Sequence, residues 1–132
     1  MTKLSLDWLG ELKFRSSMGF PAIELHSAGR DVASPPQALA YAAMACMAMD
    51  VVHVIEKGRY DLRAMTIGFE GERAQDNPKR FVSMRMNFAI TGAIPGHVVE
   101  RAIELSRTKY CSVWHTIRQD VQLSTSFSIK DT

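Results

Sequence analysis

Two cysteines, 65 residues apart, are the side chains in this sequence best suited to chemistry. Cys46 lies in AYAAMACMAMD, residues 40 to 50, and Cys111 in TKYCSVWHT, residues 108 to 116. Neither has a CxxC partner, so in a reducing compartment both are expected to rest as thiols. From position alone Cys46 reads equally well as a small core residue, because free cysteine is among the most buried residue types. It sits too deep in a predicted helix for the macrodipole to ionise it. Burial there predicts a raised pKa unless a cation reaches the sulfur. Cys111 follows Lys109 and Tyr110, and the basic neighbour favours a thiolate. A pair of thiols points to peroxide or disulfide chemistry, in which one thiolate becomes a sulfenic acid and condenses with the other.

Two other chemistries use the same residues. Cys46, Asp50 and His53 fall at i, i+4 and i+7, a spacing like that of a nucleophile with its base and orienter, although side chains along one helix seldom converge on one atom. Cys46, His53, Cys111 and His115 offer two sulfurs and two imidazoles to zinc, without the short cysteine spacing usual for such a site.

The elements that must position these residues follow from pattern and punctuation. KLSLDWL, ELKFRSS, a Met18-Gly19 turn and AIELHS predict a small antiparallel meander. After the loop AGRDVAS, Ser34 is the expected N-cap and Pro35 the first residue of a helix that runs to about Lys57, with Gly58 as the stop. RAMTIGFEGER and FVSMRMNFAITG alternate with period two and form a hairpin across AQDNPK. In the second strand Val82, Met84, Met86, Phe88 and Ile90 face one way. A second helix starts near Pro95, with Val98, Ala102 and Leu105 spaced for one buried face. YCSVWHTIR is helical again, and VQLSTSFSI is a closing strand. The order of elements predicts an α+β domain.

The opening turns of the first helix are apolar on every side, so the helix must be surrounded. A chain of 132 residues with short sheets covers it with difficulty, which predicts a homodimer. The chain fits one domain spanning residues 1–132, with 46% hydrophobic and 23% charged residues. A net charge of +2 with interspersed signs gives no stripe for nucleic acid. Asp7 interrupts any secretory h-region, and the uncharged stretch 32–49 is alanine-rich with two prolines, poor material for a membrane span. The expectation is a cytoplasmic protein with no nucleic acid or membrane partner.

SPPQALAYAAMACMAMDVV, with ERAIELSRTKYCSV further on and GFEGER and FVSMRMNFAITG between, resembles the OsmC/Ohr family, the osmotically inducible and organic hydroperoxide resistance proteins. The resemblance implies two antiparallel sheets around long central helices in an intertwined homodimer. It also implies a thiol peroxidase site at the dimer interface. Cys46 would be the peroxidatic thiolate that reduces an organic hydroperoxide, and Cys111 the resolving thiol. A cellular dithiol would reduce the disulfide, with no cofactor and no metal. An arginine of the N-terminal strands would hold the thiolate, and Arg15 and Arg30 are the candidates here. Where family peroxidases place a glutamate after the first proline of the helix, this chain has Pro36 and then Gln37. The alternative function is a non-catalytic dimer of the same kind that binds an apolar small molecule and leaves its cysteines reduced.

The other residues have plainer expectations. Met44, Met47, Met49, Met84 and Met86 are core gap-fillers ahead of a lining for a fatty hydroperoxide. Trp8 and Trp114 are core or interface aromatics. Asp50 and His53 make polar interactions at the end of the apolar section, and Arg73 and Arg80 are surface charges flanking the hairpin loop.

Overall fold

A turn too tight for most residues starts the N-terminal meander: Gly10 has φ +104° and Glu11 φ +48°, and the Leu9 N–H reaches the Lys13 carbonyl at 2.9 Å. The turn joins β1 (Leu6–Trp8) to β2 (Lys13–Ser16), which pairs in turn with β3 (Glu24–His26). Both pairings are antiparallel, in the order β1-β2-β3, as the alternating sequence predicts. A Lys13–Glu24 ion pair at 2.9 Å staples β2 to β3. The computed structural model describes residues 1–17, 22–27 and 30–131, so the expected Met18-Gly19 turn lies outside the described residues.

The chain divides into two compact units, residues 1–41 and 42–132, with helix α1 (Pro35–Lys57) running from the first into the second. Its start is a capping box. The Gln37 N–H donates to Ser34 Oγ at 3.3 Å, and the Ser34 N–H donates to Gln37 Oε1 at 2.9 Å. Two of the donors that a helix N-terminus leaves open are thereby satisfied, and Pro35 at the first helical position has none to satisfy. Its end is a Schellman motif built on Arg59 (φ +62°), with Tyr60 N–H to the Ile55 carbonyl at 3.2 Å and Arg59 N–H to the Glu56 carbonyl at 2.9 Å. Gly58 has another task than the expected left-handed stop. A Cβ there would lie 2.7 Å from the Tyr60 ring that folds back over the helix end.

The second unit is a three-stranded sheet, β4 (Leu62–Arg73), β5 (Phe81–Gly92) and β6 (Gln122–Lys130), with β5 in the middle. β4 and β5 form the expected antiparallel hairpin, its loop tied by Arg73 Nε donating to the Lys79 carbonyl at 2.7 Å. The expectation of wholly antiparallel sheets is corrected in one respect: β6 runs parallel to β5. The reason is the crossover between them, which carries α2 (Gly96–Leu105), a π-helical turn (Ser106–Tyr110) and α3 (Ser112–Thr116), long enough to return the chain in the same direction.

One face of this sheet is apolar. Met84, Met86, Phe88 and Ile90 are buried, as their alternation predicts, while Asn87 and Ser126 hydrogen-bond at 3.0 Å on the opposite, solvent side. Ala43, Met47, Val51 and Ile55, at every fourth position of α1, pack into the same core as these residues. α2 contributes Val99, Ala102 and Ile103, a stripe displaced by one residue from the expected Val98, Ala102 and Leu105, which are buried only at Ala102. The next position of that stripe is Ser106, a fully buried polar residue. Of the methionines, Met47, Met84 and Met86 are core, Met44 packs against it, and Met49 stands 68% exposed. Trp114 is in the core, whereas Trp8 is exposed.

Candidate functional site

α1 presents Cys46 and, one turn further, Asp50 from the same side. Opposite them stands the junction between the π turn and α3. The junction exists because the Cys111 N–H bonds the Ser106 carbonyl five residues back, at 2.9 Å, which closes the π turn and leaves Cys111 extended (φ −71°, ψ 101°). Cys111 is thus the N-cap of α3, and its sulfur accepts from the Trp114 N–H at 3.3 Å. His115 Nδ1 lies 2.7 Å from the Cys111 carbonyl, to which it donates.

Both cysteines are free thiols, and their side chains interact. Cys46 is half-buried, while Cys111 is completely enclosed. Burial is the largest influence on Cys46 and pushes its pKa up, but the Val113 N–H, the Cys111 thiol and the Ser112 hydroxyl all donate towards its sulfur and together hold it below the ordinary thiol value. Ser112 Oγ is 3.8 Å from Cys46 Sγ. The raised pKa expected for Cys46 is therefore corrected. The hydrogen bonds to its sulfur outweigh burial.

Cys111 is also corrected, in the opposite direction. Burial pushes it up to about 11, the Trp114 N–H opposes this in part, and the neighbouring Cys46 and the Asp50 charge add to the rise. Lys109 does not make it a thiolate. Its ammonium lies instead over the Tyr110 ring, 5.3 Å from the centroid.

Asp50 accepts a 2.7 Å hydrogen bond from Ser106 Oγ, in keeping with a polar contact at the end of the apolar section, and His53 is exposed. Among the described residues no three His, Cys, Asp or Glu side chains gather as a metal ion would require, so Cys46, His53, Cys111 and His115 do not form the zinc set considered from the sequence. Arg15 is exposed on β2, opposite Asp7 and Glu24 in the sheet register, and Arg30 is exposed before α1. Gln37, which follows Pro36, belongs to the capping box.

Sequence reasoning overlooked Ser112, Val113 and Ser106. A signal existed for Ser106, since a serine continuing the buried stripe of an amphipathic helix must meet a polar partner. For the Val113 amide there was none, because only the fold brings it to Cys46.

An α+β chain with a long helix bearing one thiol, opposed by a second thiol after a π turn, defines a class, and comparison with known proteins agrees with it. The OsmC-like protein family model matches residues 28–126, and the chain belongs to that family. It is 31% identical to Protein YhfA of Escherichia coli K12 over 125 residues, covering 94% of this chain and 90% of that protein. A hypothetical protein of Aquifex aeolicus VF5 shares its fold with a TM-score of 0.91 and 23% identity, over 100% of this chain and 98% of that one. A Legionella pneumophila protein described as an organic hydroperoxide resistance protein OsmC matches with a TM-score of 0.68 and 19% identity, over 97% of this chain and 98% of that one.

Proposed function

We propose that the protein reduces organic hydroperoxides with Cys46 as the attacking thiolate and Cys111 as the resolving thiol. The observation that carries this reading is the asymmetry of the pair. Three donors converge on the half-buried Cys46 sulfur and favour its ionised form, while the enclosed Cys111 beside it is held protonated, near pKa 11. The thiolate is the nucleophile, so the half-buried Cys46 is the reactive partner at neutral pH. The hydroperoxide resistance function stated for the Legionella relative points the same way.

In the first step the Cys46 thiolate attacks the outer peroxide oxygen. The O–O bond breaks, a proton goes to the departing alkoxide, and the products are the Cys46 sulfenic acid and an alcohol. Cys111 then attacks the sulfenic sulfur, its proton leaving with the hydroxyl as water, and the disulfide forms. A cellular dithiol restores both thiols by exchange and is itself oxidised to a disulfide. Arg15 or Arg30 adds a cation to the thiolate side of this scheme. The reaction is placed in the cytoplasm, where such reductants keep thiols reduced.

A homodimer belongs to the same reading. Leu39, Tyr41 and Met49 on α1, and Leu6, Trp8 and Phe14 on the meander, are large apolar side chains left exposed in one chain. A second copy of the chain covers them.

The test adds one equivalent of cumene hydroperoxide to the reduced protein and counts free thiols. The wild type should lose two promptly, and Cys111→Ser should lose one and yield a sulfenic acid that dimedone traps. Thiols that survive in the wild type would overturn the peroxidase reading and leave the family fold as a binder of apolar molecules.

A further inference from the structure

The Ser106 hydroxyl is a buried polar group that this chemistry does not consume. It is fully enclosed, donates to Asp50 Oδ2 at 2.7 Å, and belongs to the residue whose carbonyl accepts the Cys111 N–H at 2.9 Å. Asp50 stands one turn beyond Cys46 on α1. This side-chain bond therefore joins the helix that carries Cys46 to the first residue of the backbone turn that leads to Cys111. We propose that Asp50 and Ser106 are a positioning pair, whose hydrogen bond holds Cys111 in register with Cys46 for disulfide closure. This role rests on the thiol-pair reading above.

Three physical points support it. An alanine at position 106 would continue the Val99, Ala102 and Ile103 stripe without any desolvation cost, so a hydroxyl there is favourable only through its bond. The π turn is a rare geometry, and Ser106, the residue the bond holds, is its first residue. The Asp50 charge, moreover, raises the pKa of both thiols and so works against the reactive form of Cys46. An acid that opposes its neighbour's ionisation is explained by the bond it accepts.

Asp50 on its own helix and Cys111 from the segment packed against it are ionisable groups that act on Cys46. Substitutions can therefore separate charge from tether. Ser106→Ala keeps the charge and removes the tether. Asp50→Asn keeps an acceptor oxygen for Ser106 and removes the charge.

The experiment reads two rates in the reduced, full-length protein. One is Cys46 alkylation by iodoacetamide against pH. The other is formation of the Cys46–Cys111 disulfide, driven by hydroperoxide and separately by diamide. With diamide, Cys46 adds to the N=N bond, Cys111 displaces the adduct, and the oxidant leaves as the hydrazine.

Ser106→Ala should slow closure about tenfold with either oxidant, the loss expected for one buried hydrogen bond, and leave the alkylation profile near that of the wild type. Asp50→Asn should close at least as fast as the wild type while its alkylation midpoint moves to lower pH. Closure of Ser106→Ala at the wild-type rate would overturn the proposal. Should Ser106→Ala not fold, Asp50→Ala compared with Asp50→Asn isolates the same bond, and equal closure in these two would also overturn it. A wild type inert to hydroperoxide, with diamide closure still slowed in Ser106→Ala, would reject the peroxidase reading and leave the positioning role standing.

Discussion

Cys46 owes its character to atoms 66 and 67 residues away in sequence, the Ser112 hydroxyl and the Val113 amide. That distance explains why the sequence led to the wrong direction for its pKa. Position in the helix was legible and implied burial, but the donors that outweigh burial arrive only through the fold. The prediction at this scale concerns Ser112, whose hydroxyl lowers the Cys46 pKa and whose loss must therefore raise it. At pH 7 a higher pKa means less thiolate, so Ser112→Ala should be alkylated at Cys46 about two- to tenfold more slowly, with the difference vanishing above the midpoint. Iodoacetamide kinetics from pH 5 to 9, followed by mass spectrometry, would show this. Cys111, fully enclosed and raised to about 11, should remain unmodified across that range. A Ser112→Ala profile coincident with the wild type would mean that the hydroxyl does not act on the sulfur.

Among the elements, α1 was the most legible because its ends carry local signals. Ser34, Pro35 and Lys57 all fall where their chemistry predicts, since an N-cap and a prolyl first turn depend only on neighbours in sequence. The alternation through Met84, Met86, Phe88 and Ile90 was equally plain, because period two is a property of the strand itself. The direction of β6 was not legible. Its residues alternate in the same manner whether the neighbour runs parallel or antiparallel, and only the crossover after β5 decides. The helix start supplies a quantitative expectation. Ser34→Ala removes the acceptor for the Gln37 N–H and half of the capping box, and should lower stability by about 1 kcal/mol in urea denaturation with an unchanged m-value. Gln37→Glu keeps an acceptor for the Ser34 N–H and adds a negative charge to the helix N-terminus, so it should not destabilise. A loss of stability in Gln37→Glu as large as that in Ser34→Ala would contradict the capping-box reading.

For the whole molecule the question is what covers α1. By length and composition it is apolar enough to cross a bilayer, with 28% of its most apolar window buried within the chain. Ala43, Met47, Val51 and Ile55 are already committed to a core shared with Met86 and Phe88. The second copy of the chain proposed above would cover the remaining faces without giving up that core. Met49 makes the point testable, since it is 68% exposed and lies outside the single-chain core. In a monomer, Met49→Lys is a surface change that should alter stability by no more than about 0.5 kcal/mol. In a dimer whose contact includes this face it places an ammonium in an apolar interface, so the sedimentation mass should fall towards one chain and the unfolding temperature should drop and become independent of concentration. A wild type that sediments as a single chain at micromolar concentration would remove the dimer from the proposal. The thiol pair would be unaffected by that outcome, because Cys46, Cys111, Asp50 and Ser106 all come from one chain and one of its compact units.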